Sequence, residues 1–244
     1  MFGVALSATA SLILNQVWEW KSDAVMVRTQ KRMIPAKKIS VAQGWWLGGL
    51  FSVIGYVYLW IMVNPLASIL TILVGVDYVL LYTPLKKISW WNTPVGAVSG
   101  AILPMIGWAA RVSELTEGAW FLFAVLFLWQ FPHSYAIYNL YRDDYARGGY
   151  KILPVTSPES PWSVFQTLMS ALFLMPLSLL PYAKGYVGPF YAAGCLLIGV
   201  FLLRSAIRFY MNPVQYKARQ LLRSSLIYLV IMLILVVIDR LWVI

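Results

Sequence analysis

Asn15, Glu19 and Asp23 follow one another at four-residue intervals, and Arg28, Thr29, Lys31 and Arg32 come directly after them. On an α-helix, positions i, i+4 and i+8 share one face and span roughly 12 Å along the axis. Three oxygen-bearing side chains would then stand as a ladder. Such a ladder suits Mg²⁺, which takes one or two carboxylates and fills its octahedral shell with water and substrate phosphates. The basic residues that follow supply charge for the phosphates. A plainer reading is also open: a helix end with a solvated polar face and a basic anchor at a membrane surface.

A second cluster begins at Trp129-Gln130-Phe131-Pro132-His133. It runs through Asn139, Arg142, Asp143, Asp144, Tyr145 and Arg147-Gly148-Gly149 to Leu153-Pro154-Val155. Asn139 and Asp143 are i, i+4 neighbours and Asp144 stands one position further round. A second oxygen-rich face is therefore expected to oppose the first, with Mg²⁺ ions and a diphosphate held between them. His133 is the only histidine. Near a helix end within an apolar stretch, it reads either as a hydrogen-bonded interior residue or as a ligand or proton-transfer group. Between the clusters lies Tyr82-Thr83-Pro84-Leu85-Lys86-Lys87. There Lys86 reads as a phosphate contact or an interface anchor, and Lys87 as an anchor. Asp77 is an acid within an apolar span, costly enough to be a functional candidate, although the sequence names no partner for it.

The elements that must position these residues are membrane helices. A chain of 244 residues with 61% hydrophobic residues, 11% charged residues and mean hydropathy +0.73 cannot hide its apolar surface as a soluble domain. The expected fold is all-α: a polytopic helical bundle around a central cavity, one domain over 1–244. Stretches long enough to cross a hydrocarbon core of roughly 30 Å occur at about 2–20, 44–63, 66–83, 93–110, 119–139, 163–183, 186–206 and 222–242, eight spans in all. The alternate connections 21–43, 84–92, 139–162 and 204–223 hold sixteen of the nineteen Lys and Arg residues. Only Arg111, Lys184 and Arg240 fall on the other side. The positive-inside rule then places the N-terminus outside, and both polar clusters on the cytoplasmic side or its organellar equivalent. Orientation accounts for the net charge of +10 without a nucleic-acid partner.

Cys195 is the only cysteine, which excludes an intramolecular disulfide and a cysteine-based metal site. Met1 to Leu14 lack the charged segment and cleavage site of a secretory signal, and read as a membrane helix that begins abruptly. Gly96, Gly100 and Gly107, with Ala97, Ala101 and Ala109, are expected to let the 93–110 helix approach its neighbours closely. Pro104, Pro176 and Pro181 are expected to kink their helices.

Three stretches together resemble the UbiA superfamily of intramembrane prenyltransferases, and within it the branch that prenylates heme. They are Asn15-x3-Glu19-x3-Asp23-x2-Met26-x-Arg28-Thr29-x2-Arg32; Tyr82-Thr83-Pro84-Leu85-Lys86-Lys87 with Asn92-Thr93-x2-Gly96-Ala97; and Trp129-Gln130-Phe131-Pro132-His133 with Asp144-Tyr145-x-Arg147-Gly148-Gly149 and Leu153-Pro154-Val155. The resemblance extends over nearly the whole chain. The first stretch points to the superfamily, and the Trp-Gln-Phe-Pro-His and Asp-Tyr-x-Arg-Gly-Gly strings to the heme branch.

The resemblance implies a Mg²⁺-dependent transfer of a farnesyl group from farnesyl diphosphate to the 2-vinyl group of protoheme IX (heme B), giving heme O and diphosphate. It implies that Asn15, Glu19 and Asp23 form one metal and diphosphate face, and that Asp143 and Asp144 contribute to the second. Arg28, Arg32 and Lys86 would neutralise phosphate, and His133 would either ligate heme iron or move a proton. A multi-pass membrane protein is implied, and the missing transit peptide points to the bacterial plasma membrane in preference to the mitochondrial inner membrane. Association with heme A synthase and self-association are left open.

Two departures stand out. The superfamily usually has nine membrane helices, and this chain begins within what would be the second, so it is expected to be N-terminally incomplete relative to the family. Arg32 is followed by Met33-Ile34-Pro35 where the family commonly has Pro directly after the Arg. The alternatives are a superfamily member acting on a quinone or chlorophyll precursor, an inactive truncated heme-binding protein, and a transporter.

Overall fold

A computed structural model describes residues 1–158 and 160–242; of residues 240–242 it describes the backbone alone. The side chain of Arg240, counted above among the outer charges, therefore lies outside the described residues. Every regular element among the described residues is helical. The long helices are α1 (Phe2–Val25), α2 (Val41–Met62), α3 (Pro65–Leu85), α4 (Asn92–Val112) and α5 (Glu117–Leu140). Two short helices, α6 (Arg142–Arg147) and α7 (Leu153–Thr156), precede α8 (Trp162–Ala183), α9 (Pro189–Met211) and α10 (Gln215–Trp242).

Seven of these helices, α2 to α5 and α8 to α10, are long and apolar enough to cross a membrane. The eighth span expected, 2–20, is a helix of 24 residues, but it is not among the seven. Its later turns carry Asn15, Gln16, Glu19, Lys21 and Asp23, which lower its hydropathy. Protein covers the functional groups of that face: Asn15, Glu19 and Asp23 are buried.

The chain divides into two compact units. The first comprises residues 1–123 and 142–156, and the second 124–141 and the residues from 157 onward. In the first unit, local chemistry starts the helices cleanly. Ser40 and Gln43 form a reciprocal capping box at α2. Asn64 caps α3, and Pro65 opens its first turn with no N–H to leave unpaired. Asn64 also donates from Nδ2 to the Ala109 carbonyl at 2.8 Å, fixing the α2–α3 turn to the end of α4. Ala67, Leu70, Met105, Ile106, Ala109 and Ala119 form an apolar core.

The close packing expected of α4 is made at Gly96 and at the buried Ala97, Ala101 and Ala109, but not at Gly107. A Cβ at Gly107 would meet nothing within 4 Å, whereas one at Gly48 would come to 2.6 Å from Leu14, and one at Gly55 to 2.3 Å from Ser7 Oγ. Small residues therefore serve the α1–α2 contact, which holds the ladder helix in place. Gly96 does pack as expected, against the Tyr82 ring.

In the second unit, Tyr191, Tyr228, Leu174, Leu202, Phe209 and Leu221 fill the interior. Asp239, near the end of α10, accepts hydrogen bonds from the backbone N–H groups of Gly188 and Tyr191. A carboxylate from one helix thereby caps the N-terminus of another.

Candidate functional site

The first unit brings α1, the segment after it, the end of α3 and α6 together around the ladder. Glu19 is its centre. Asn15 donates from Nδ2 to Glu19 Oε2 at 3.0 Å, and Lys86 donates from Nζ to Glu19 Oε1 at 2.9 Å. The same Asn15 amide donates to Thr83 Oγ1 at 3.0 Å. One turn on, Arg32 donates from Nη1 to Asp23 Oδ2 at 2.8 Å, and the Thr29 hydroxyl donates to the Asp23 carbonyl at 3.1 Å. Asp23 is fully buried, and its Oδ1 has no hydrogen-bond partner.

Thr83 and Lys86 reach this point because α3 widens into a π-helix over Asp77–Tyr82. Pro84 has no N–H to give, and its ring crowds the preceding turn. A wider turn relieves that crowding, and π segments commonly mark functional sites. The Thr83 hydroxyl donates to the Tyr78 carbonyl five residues back at 2.7 Å, leaving its lone pairs for Asn15. Burial disfavours the Lys86 ammonium, but the Glu19 carboxylate outweighs that cost and raises its pKa above the usual lysine value. The ammonium also lies 4.3 Å from the centre of the Tyr82 ring. Burial, and after it the Glu19 charge, pushes the Tyr150 phenol up, and its buried hydroxyl has no hydrogen-bond partner.

The second acidic face takes a different form from the one expected. Asp144 Oδ1 and Oδ2 accept hydrogen bonds from the backbone N–H groups of Val27 and Arg28, each at 3.2 Å, and Arg147 donates to Oδ1. These bonds clasp α6 to the chain leaving α1. Burial alone would raise the Asp144 carboxyl, but Arg147 and the two amides hold it below the ordinary carboxylate value. Its oxygens thus accept three bonds, two at Oδ1 and one at Oδ2. Asp143 is exposed. Asn139 belongs to the second unit, where its amide donates to the Tyr135 carbonyl.

Arg28 is exposed, and its guanidinium donates to the Tyr145 hydroxyl at 3.3 Å. The Arg147-Gly148-Gly149 string has a backbone explanation. A Cβ at Gly148 would come to 2.9 Å from the Tyr150 ring and 3.0 Å from Met26 Sδ, and Gly149 has φ +72°. The Lys151 amide then donates to the Lys86 carbonyl at 2.7 Å, tying this turn to the end of α3.

Among the described residues, no group of three His, Cys, Asp or Glu side chains stands close enough to hold one metal ion. A Mg²⁺ site needs fewer, since it keeps waters and substrate phosphates in its shell. The unpartnered, buried Asp23 Oδ1 one turn from Glu19 fits such an ion.

His133 lies in the second unit, with Nδ1 3.1 Å from Ser225 Oγ and its ring stacked on Trp129 at 4.5 Å. The sequence reading assigned no role to Thr83, Thr29, Tyr145, Arg147 or Tyr150. The first four lie within the motif strings or beside their quoted residues, but Tyr150 carried no signal.

The sequence model of the UbiA prenyltransferase family matches residues 1–230. A protoheme IX farnesyltransferase of Solibacter usitatus is 38% identical over 240 residues, covering 98% of this chain and 82% of that protein. One of Opitutus terrae is 37% identical over 244 residues, covering 99% and 82%. Among solved structures, one concerning digeranylgeranylglyceryl phosphate synthase in membranes has a TM-score of 0.78 at 16% identity, covering 98% of this chain and 83% of that one. A UbiA homologue from Aeropyrum pernix K1 has a TM-score of 0.69 at 18% identity, covering 98% and 86%. At these identities the structural likeness concerns the fold.

Proposed function

From the premise that this chain belongs to the UbiA prenyltransferase family, we propose that it transfers a farnesyl group from farnesyl diphosphate to a vinyl group of protoheme IX, releasing diphosphate and giving heme O. The names carried by its relatives support the substrates. The observation that carries the chemistry is the buried pair of carboxylates, Glu19 on Lys86 and Asp23 on Arg32, with one Asp23 oxygen unpartnered.

In this reading the bond between the allylic carbon and the diphosphate oxygen breaks, and its electron pair leaves with the diphosphate. The vinyl terminus attacks the allylic carbon, water adds to the resulting cation beside the porphyrin, and the added water loses one proton to solvent to leave the hydroxyl. Arg28, Arg32 and Lys86 meet the negative charge that grows on the leaving group. Asp23 and Glu19, with Asn15, would hold Mg²⁺, and the exposed Asp143 is the carboxylate that α6 could add. When bound, the ion neutralises the departing diphosphate. Asp144 serves by fixing the backbone at Val27 and Arg28. The apolar interior of the bundle keeps the allylic cation from premature capture by water.

The protein is an integral, multi-pass membrane protein. The distribution of its basic residues favours the ladder end on the cytoplasmic face of a bacterial plasma membrane. The test is to incubate the membrane-embedded protein with heme B, farnesyl diphosphate and Mg²⁺ and to look for heme O by mass. Heme O that requires the divalent cation is the expected result. Product from an aromatic acid acceptor and none from heme B would overturn the reading.

A further inference from the structure

Tyr150 follows the Gly148-Gly149 turn, and its neighbours hold the ring and the backbone. Gly148 leaves room for the ring where a Cβ would come to 2.9 Å, and the Tyr145 ring meets it edge-on with centroids 5.7 Å apart. The Tyr150 amide donates to the Tyr145 carbonyl at 3.0 Å, and the next amide, of Lys151, donates to the Lys86 carbonyl. Tyr150 is 2% exposed. The Lys86 ammonium lies 5.9 Å from the ring centre, and the charges of Glu19, Lys86 and Asp23 all act on the phenol. Its hydroxyl therefore stands among the ladder groups, yet bonds to none of them.

A buried hydroxyl without a partner costs free energy that a phenylalanine ring of the same shape would avoid. The contacts that seat Tyr150 use its ring and its backbone, so the fold gains nothing from the oxygen. A phenol, with an ordinary value of about 10, keeps its proton at neutral pH and so has one hydrogen bond to donate. Asp23 Oδ1 is unpartnered in the same unit. One buried acceptor and one buried donor are thus both unspent beside Lys86 and Arg32. A divalent cation bound to a diphosphate matches the pair: the cation takes the carboxylate oxygen, and an oxygen of the anion takes the phenol O–H.

We infer that Tyr150 contacts the prenyl donor, its phenol O–H donating to an oxygen of the diphosphate. The inference rests on the transferase reading above and adds a neutral donor to the cations Arg28, Arg32 and Lys86. The proton stays on the phenol throughout. As the allylic carbon–oxygen bond breaks, negative charge grows on the diphosphate and the hydrogen bond to it strengthens.

The test uses the full chain in lipid nanodiscs with Mg²⁺, inorganic diphosphate as the calorimetric probe, and heme O formation as a second readout. Tyr150→Phe removes the oxygen and keeps the ring. Without diphosphate it is expected to melt no lower than wild type, because the unpartnered group is gone. It should bind diphosphate roughly 10-fold more weakly and form heme O roughly 100-fold more slowly, with heme B binding unchanged. A role in packing predicts the opposite split, a lower melting temperature with wild-type diphosphate affinity, and that result would overturn the inference. Absence of diphosphate binding by wild-type protein would overturn it too. If Tyr150→Phe loses diphosphate affinity as expected but wild-type protein forms no heme O, the transferase reading fails and the diphosphate contact stands. If wild-type protein makes heme O while Tyr150→Phe binds diphosphate as tightly, the contact alone fails.

Discussion

Asp23 and Asp144 are both buried, and each is paired with an arginine, yet their remaining partners differ. Asp144 accepts from two backbone amides as well as from Arg147, and so it fastens one segment to another. Asp23 accepts from Arg32 through one oxygen and leaves the other buried without a partner. A buried carboxylate oxygen without a donor costs free energy that a folding role would not require. What separates the proposed ligand from the clasp is the supply of backbone N–H groups, which charge and burial alone do not reveal.

The comparison breaks most visibly through activity. Asp23→Asn is expected to lower turnover roughly 10²–10³-fold with little change in thermal stability; unchanged turnover in the heme O assay would put Asp23 beside Asp144 as a structural residue. Asp144→Asn should show the reverse emphasis. It removes charge-assisted bonds to Val27, Arg28 and Arg147, and is expected to cost about 2 kcal/mol of stability, measured by denaturation in detergent. A variant as stable as wild type but inactive would return Asp144 to the metal.

Acid should sharpen the same contrast. Because the native Asp144 carboxyl lies below its ordinary value of about 3.9, its stabilising contribution is complete above that value and is lost as pH falls through the native one. The stability gap between wild type and Asp144→Asn should therefore be constant near neutrality and narrow below about pH 4. A gap that instead widened on acidification would reverse the assignment. The smallest effect is expected at the turn beside the clasp. Gly149→Ala places a side chain at φ +72°, and should cost about 1 kcal/mol while leaving the metal dependence of turnover unchanged.

Much of this could be read before any coordinates. Hydropathy fixed the helical membrane fold, although α1 proved more polar than the other spans because it carries the ladder. The four-residue spacing put Asn15, Glu19 and Asp23 on one face, since helical periodicity depends on nearby residues alone. Of the small residues on α4, Gly96, Ala97, Ala101 and Ala109 are packed and Gly107 is not, because a small residue shows where an approach is permitted and only the neighbouring helix decides whether it occurs.

The sequence by itself determined the bundle, the ladder and the basic segments, which follow from composition and short-range spacing, and its motif strings carried the resemblance to the family. Tertiary structure alone decided that Thr83 meets Asn15 across 68 residues of chain, that Asp144 is spent on the backbone of Val27 and Arg28, and that His133 turns Nδ1 to Ser225. The physical reason is common to all three. A polar side chain acquires its role from the donors and acceptors that reach it, and here those partners come from distant segments that meet only when the helices pack.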